Sequence, residues 1–148
     1  MKSNKYSQRG GTFMRKLLTV LAIPVLMFFA VSAHAGEFGD LKKKINDARE
    51  SLVTMVKNKD KRGADQQKLV KDTADAVSAT LAKIKAPAAK EAKFKELVAT
   101  WNAFKETREG ELVPLLLAGK QEEAEKLAGG VQKERFKKVN DLCDELEK

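Results

Sequence analysis

Histidine and cysteine are almost absent from this sequence of 148 residues, and their scarcity excludes several kinds of site. The only histidine is His34, and the only cysteine is Cys143. A single cysteine allows no internal disulfide, and without histidine it cannot build a closed zinc or copper site. Haem attachment through C-x-x-C-H is excluded for the same reason. We therefore expect no cofactor.

The shortage of histidine also bears on catalysis. Cys143 has no histidine base to activate it, and its place on the apolar stripe of the last predicted helix favours burial over reactivity. Such a lone thiol is either buried or pairs with another chain. We expect that the protein is not an enzyme.

The N-terminus has the composition of a secretory signal. Met14-Arg15-Lys16 precedes an apolar run of 15 residues, Leu17 to Val31, and alanines stand at positions 33 and 35. This pattern predicts a signal peptide over residues 1–35, cleavage after Ala35 and a periplasmic location. The alternative is an uncleaved anchor in the inner membrane, although the run is shorter than the roughly 20 residues that span a bilayer. Translation begins at Met1 or at Met14.

Neither sign of charge predominates once residues 1–35 are set aside. Five of the 29 basic residues and none of the 21 acidic residues lie in residues 1–35, so residues 36–148 carry a net charge of +3. Basic clusters occur at Lys42–Lys44, Lys57–Arg62 and Lys133–Lys138, where an acidic partner or anionic lipid would bind. Acids are interleaved with them, which is typical of a solvated surface. We expect no nucleic-acid partner and membrane contact only through the N-terminal segment.

The remaining sequence shows helical periodicity and no strand pattern. Apolar residues of the first predicted helix, Phe38 to Lys57, recur every three or four positions: Phe38, Leu41, Ile45, Ala48, Leu52 and Met55. A second helix ends near Lys85, because Pro87 disfavours a helical conformation at Ala86. Pro87 itself suits the first turn of the third helix.

The third predicted helix carries the largest side chains. Phe94, Leu97, Trp101 and Phe104 fall on one stripe. Pro114 predicts a kink near Gly110–Glu111 or an early end of this helix. The fourth helix begins near Gln121, and the glycine pair at 129 and 130 predicts a bend.

These four segments and their short turns predict an all-α fold. Residues 36–148 form an up-down-up-down antiparallel four-helix bundle that follows the signal segment.

Arg108 is the one cation on the aromatic stripe, four residues after Phe104. A cation on a core-facing stripe must pair or bind something, so Arg108 is the candidate contact for a small anionic ligand. The alternative for Thr107-Arg108-Glu109 is a salt-bridged surface. Carboxylates that could hold a hard metal ion, or simply face solvent, occur in two groups, Glu122-Glu123-Glu125 and Asp141-Asp144-Glu145.

The stretch from Trp101 to Leu127, WNAFKETREGELVPLLLAGKQEEAEKL, resembles a known family. An aromatic helix with an arginine, then leucines, a glycine and Glu-Glu-Ala, is similar to the third and fourth helices of the periplasmic sensor domain of methyl-accepting chemotaxis proteins. The resemblance implies a ligand-sensing or protein-contacting bundle, a freestanding relative that hands its bound state to a partner receptor. It also implies a ligand site between helices, often at a homodimer interface.

Two functions follow as hypotheses. The first is an exported, non-enzymatic bundle of sensor-domain type in signal transduction, which binds a small ligand or a partner protein. A buried polar pocket around Arg108 would favour it. The alternative is a periplasmic chaperone or envelope-interaction protein that holds clients, which a wide apolar groove rimmed by lysines would favour.

Overall fold

The computed structural model describes residues 36–148, and the predicted signal segment, 1–35, lies outside them. The described part is all-helical, as the periodicity predicts, and it contains no strand. Among these residues, no helix combines the length and apolar character needed to cross a membrane. The α-helices are α1 (Glu37–Lys57), α2 (Ala64–Leu81), α3 (Glu91–Thr107), α4 (Val113–Leu117), α5 (Gln121–Gly129) and α6 (Val131–Glu147).

Helix α1 has the bounds and the buried face that its sequence pattern predicts. It begins one residue earlier than expected and ends at Lys57. All six residues of the predicted apolar stripe are buried, because positions three and four apart share one face of a helix. Its last carbonyls are covered by Arg62, whose Nε donates to the Met55 oxygen at 3.0 Å. The same guanidinium donates to the Leu116 oxygen at 2.9 Å and joins the ends of α1 and α4.

The predictions around Pro87 are wrong in detail. Helix α2 ends at Leu81 rather than near Lys85, because Lys83 N–H donates to the Thr80 oxygen and tightens the last turn. The chain then leaves the helix, and Ile84 is buried in the core. Pro87 does not lie in the first turn of α3 either. It precedes a 3₁₀ turn, Ala88–Lys90, which leads into α3.

The irregularity predicted near Gly110 takes the form of a π-helical turn, Arg108–Leu112, between α3 and α4. Val113 N–H donates to the oxygen of Arg108, five residues back. Pro114 has no N–H to donate, and the wider turn accommodates its ring. The helix does not stop early, since α4 continues to Leu117. Gly119 then ends this arm with a φ of 76°, a conformation that suits glycine.

The predicted interruption at the glycine pair is confirmed. Helix α5 ends at Gly129 and α6 begins at Val131, with Gly130 between them outside the helical conformation.

Helix α6 packs against both α1 and α3. Lys93 near the start of α3 pairs with Glu145, and Lys138 pairs with Glu96 at 2.6 Å. Farther along α3, the Phe104 oxygen accepts from Gln132 at 3.1 Å. As the residue numbers along α3 increase, the numbers of their partners on α6 therefore decrease. Near the start of α1, Lys42 likewise pairs with Asp144 at 2.6 Å.

Two hydrophobic clusters fill the interior. The larger cluster contains Trp101, and the smaller consists of Leu52, Met55, Val70, Leu112, Leu116 and Ala124. In each of three helical segments, one polar residue lies along the chain between a residue of the larger cluster and a residue of the smaller cluster. These residues are Ser51 in α1, Thr73 in α2 and Arg108 after α3. We call them the polar layer.

Candidate functional site

Arg108 is the centre of the polar layer. Its side chain is fully buried, and it extends from the π-helical turn toward both α1 and α2. Its two terminal nitrogens donate to the backbone oxygens of Ala48 and Val70. One of them also donates to Ser51 Oγ at 3.1 Å and to Thr73 Oγ1 at 3.4 Å. Uncharged oxygen atoms of α1 and α2 therefore stabilise the positive charge of the guanidinium.

This environment makes Arg108 a crosslink within the core. Burial lowers the pKa of its guanidinium to about 10, so the group stays cationic near neutral pH. Its Nε has no hydrogen-bond partner among the described residues. Because the side chain is fully buried among the described residues, a ligand would reach the guanidinium only if the surrounding helices moved apart. Contact between Arg108 and an anion stays a prediction.

A cavity of about 710 Å³ opens instead between α1 and the α5–α6 arm, and we call it the α1/α6 groove. Its floor includes Phe104 of α3 and Leu112 of the π-helical turn. The apolar walls come from both sides of the opening. They are Leu52, Val53 and Val56 on α1, and Ala128 and Phe136 on the α5–α6 arm.

Missing side-chain volume explains why this space is open. Ala128 and Gly129 stand at the end of α5, where larger side chains would otherwise meet α1. A Cβ atom added to Gly129 would find no atom within 4 Å. The pair of small residues therefore leaves apolar surface of α1 uncovered.

The rim of the α1/α6 groove is basic. Two of its cations are neutralised, because Arg49 pairs with Glu50 at 2.9 Å and Lys137 pairs with Asp141 at 2.6 Å. The Arg49 guanidinium also lies 4.9 Å from the centre of the Phe136 ring, which extends the wall.

Two further rim cations, Lys57 and Lys133, are exposed and form no ion pair within residues 36–148. The four cations and two anions that line the groove therefore leave a net charge of +2.

Gln132 contributes a buried polar group to the lining. Its Nε2 donates to the Phe104 oxygen, which fixes the amide orientation, and its Oε1 has no donor within the described residues. A buried acceptor without a donor is costly, so a ligand that donated a hydrogen bond to it would remove that cost.

The predicted carboxylate groups do not converge. Asp141, Asp144 and Glu145 pair respectively with Lys137, Lys42 and Lys93. These lysines belong to three different helices, so the carboxylates point apart. In the second group, Glu123 pairs with Lys120, and Glu125 accepts from Gln121. Within residues 36–148, no three metal-ligating side chains come together.

Cys143 is buried in the larger cluster. Burial, with a smaller contribution from Asp144, raises the pKa of its thiol to about 12. A buried thiol with a raised pKa carries little thiolate at neutral pH, which disfavours reactivity.

The sequence patterns singled out Arg108 but missed the groove. Lys57 and Lys133 appeared only as members of basic clusters. The one local signal was the glycine pair, which predicts a bend but not a cavity. Comparison of the chain with known protein families, curated proteins and solved structures gives no match in any of the three.

Proposed function

We propose that this chain is an exported, non-enzymatic binding protein of sensor-domain type, and that its ligand occupies the α1/α6 groove. The ligand is a small amphipathic anion with an apolar body and one or two negative charges. The observation that carries the proposal is the combination of an apolar floor with two rim lysines, Lys57 and Lys133, that lack an anionic partner.

The proposal includes an up-down-up-down antiparallel four-helix bundle, with α3 and α4 forming the third arm and α5 and α6 the fourth. The reversed order of contacts between α3 and α6 supports it, as do the contacts between the start of α1 and the end of α6. Ligand sites of bundles lie between facing helices, as this groove does.

The size and charge of the groove support a small ligand. A volume of about 710 Å³ lies within the usual range of ligand pockets, roughly 300–1,000 Å³. The apolar walls would cover a hydrocarbon or aromatic body, and the lysines would attract an anionic head at the open side. Residues 36–148 contain no histidine, and the lining carboxylates Glu50 and Asp141 are already paired, so the lining supports binding rather than catalysis.

Export to the periplasm belongs to the same proposal and is supported by the signal pattern in residues 1–35. The occupied state would then be read by a partner receptor. A homodimer that places a second copy over the groove is a further way to cover this apolar surface.

Thermal unfolding and titration calorimetry on residues 36–148 test ligand binding. The probes are decanoate, decanol and an aromatic acid such as phenylacetate. At about 100 times its dissociation constant, a ligand adds about 2.7 kcal/mol of stability. This is enough to raise the melting temperature by several degrees. We expect this rise with decanoate, and a smaller one with neutral decanol.

Paired variants locate the site. Lys57→Gln with Lys133→Gln should weaken decanoate binding about tenfold, by removing both unpaired rim charges. The matched control, Lys43→Gln with Lys126→Gln, removes two exposed lysines outside the groove and should change affinity less than about twofold. Val53→Phe should fill the groove and weaken every probe. Equal losses in both lysine pairs would mean that binding follows net charge and would contradict the groove.

The chaperone hypothesis has one specific observation in its favour. The groove is open and rimmed by basic side chains, as expected for a surface that holds an extended apolar segment of a client. An aggregation assay with an unfolded client distinguishes the two functions. Suppression of aggregation that Val53→Phe abolishes, together with no heat of binding for any small probe, would establish client holding instead.

A further inference from the structure

Glu147, near the end of α6, holds the start of α1 with both oxygens of its carboxylate. Gly36 N–H donates to Oε1 at 2.8 Å, and Gly39 N–H donates to Oε2 at 3.1 Å. Few contacts in the described residues join positions so far apart in the chain. The carboxylate therefore fixes the first turn of α1 against the last turn of α6.

Helix α1 depends on this carboxylate because it has no capping side chain of its own. Gly36 occupies the capping position, with a φ of 103° that suits glycine, and it has no side chain with which to bond the first turn. The first N–H groups of a helix have no partner within the helix, and a carboxylate there also interacts favourably with the helix dipole. Glu147 supplies this cap from another helix.

We infer that Glu147 is the acceptor of the α-ammonium group that signal cleavage creates at Gly36. The inference rests on the proposed export, because it requires a signal peptidase to hydrolyse the bond between Ala35 and Gly36. Water supplies the oxygen for the new carboxylate of Ala35. The nitrogen of Gly36 becomes an amine that binds a proton at neutral pH. The nitrogen that donates to Glu147 thereby changes from a neutral amide to a cation.

This change alters what Glu147 contributes. A free ammonium at a helix N-terminus is unfavourable, because it lies at the positive end of the dipole. Beside the Glu147 carboxylate, the same ammonium gains a charge-assisted hydrogen bond. Glu147 thus compensates the charge that cleavage places at the start of α1, and the contact between the ends of α1 and α6 is kept.

Acetylation of the Gly36 amine alone, introduced by peptide ligation so that the lysine side chains stay free, tests the inference on residues 36–148, which contain the described members of both hydrophobic clusters. Four proteins are compared: the parent and Glu147→Gln, each with a free or an acetylated Gly36 amine. Acetylation should lower the melting temperature of the parent by about 2 °C, because it removes the ion pair. In Glu147→Gln it should raise the melting temperature, because it removes an uncompensated charge from the helix start.

The control is Glu134→Gln, an exposed residue in the first turn of α6, which should respond to acetylation as the parent does. Salt at about 1 M should shrink the difference between parent and Glu147→Gln, since both partners are exposed. Acetylation that shifts both proteins in the same direction by the same amount would overturn the inference.

Export is tested separately. The full chain is produced in a host with a periplasm, and the recovered protein is sequenced from its N-terminus. A sequence beginning Gly-Glu-Phe-Gly supports cleavage after Ala35. A chain that keeps its apolar segment would contradict the proposed processing, and with it the biological role of Glu147. The acetylation experiment would still decide whether Glu147 receives the ammonium.

Discussion

At the scale of single residues, Arg108 shows that a buried cation need not have an anionic partner. Two backbone oxygens and two hydroxyls from α1 and α2 surround its guanidinium. The hydroxyls have other bonds as well, since Ser51 donates to the Ala48 oxygen at 2.8 Å and Thr73 to the Leu69 oxygen at 2.8 Å. They would therefore stay bonded if the guanidinium were removed.

A pair of substitutions separates the volume of Arg108 from its charge. Arg108→Ala should lower the free energy of unfolding by about 3 kcal/mol, because it leaves a cavity between the two hydrophobic clusters. Arg108→Met should cost about 1 kcal/mol, because it fills much of the space and no longer requires burial of a charge. Urea denaturation of both variants measures these values.

The same variants test the predicted ligand contact. Equal losses for Ala and Met would mean that the hydrogen bonds of the guanidinium, rather than its volume, stabilise the core. Arg108→Met should bind decanoate as tightly as the parent if the ligand occupies the α1/α6 groove. A loss of binding in this folded variant would instead support the predicted contact between Arg108 and an anion.

At the scale of helices, the two glycines between α5 and α6 differ in what surrounds them. Gly129 is helical, and a methyl group there would meet no atom within 4 Å. At Gly130 a methyl group would stand 3.0 Å from the Lys126 oxygen, which is closer than ordinary contact. Only the second position requires glycine for space.

Alanine substitutions should therefore have opposite effects on stability. Gly129→Ala should raise the free energy of unfolding by about 0.5 kcal/mol, because alanine loses less backbone entropy in a helix. Gly130→Ala should lower it by about 1 kcal/mol, because the backbone must shift to relieve the clash. Gly119→Ala is a control for a positive φ and should also destabilise. Thermal unfolding followed by circular dichroism measures all three, and an equal gain at 129 and 130 would contradict the clash.

Sequence patterns predicted the helix boundaries well wherever residues close in sequence determine them. The bounds of α1, the start at Gln121 and the break at the glycine pair all follow from residues within a few positions. The end of α2 did not, because a hydrogen bond from Lys83 N–H to the Thr80 oxygen tightens its last turn before Pro87 is reached. The groove could not be predicted, since it depends on missing volume between Gly129 and α1, which are far apart in sequence.

At the scale of the whole molecule, the polar layer separates a large hydrophobic cluster from a small one. The small cluster lies mainly where the short helices α4 and α5 meet α1 and α2. The α1/α6 groove spans both, because Leu52 and Leu112 belong to the small cluster while Phe104 and Phe136 lie in or against the large one. A ligand in the groove would contact both clusters at once.

This division predicts two levels of local stability. Amides of α4 and α5 should exchange with deuterium faster than those of α1, α3 and the second half of α6, because fewer apolar contacts hold them. Leu116→Ala should accelerate exchange mainly in α4 and α5, and the matched change Leu97→Ala should accelerate it throughout. Decanoate should slow exchange in α4 and α5. Equal exchange rates across all helices of the parent would contradict this division.

Trp101 has a consequence for observing this protein. It is the only tryptophan in the sequence, and the only tyrosine is Tyr6, in residues 1–35. The Trp101 indole is fully enclosed, and its Nε1–H donates to Ser78 Oγ at 3.0 Å. Its ring centre lies 5.5 Å from that of Phe104, whose ring lines the groove. Excitation at about 295 nm therefore reports on Trp101 alone. A brominated fatty acid bound in the groove would quench the fluorescence of Trp101, because only the Phe104 ring lies between the indole and the groove.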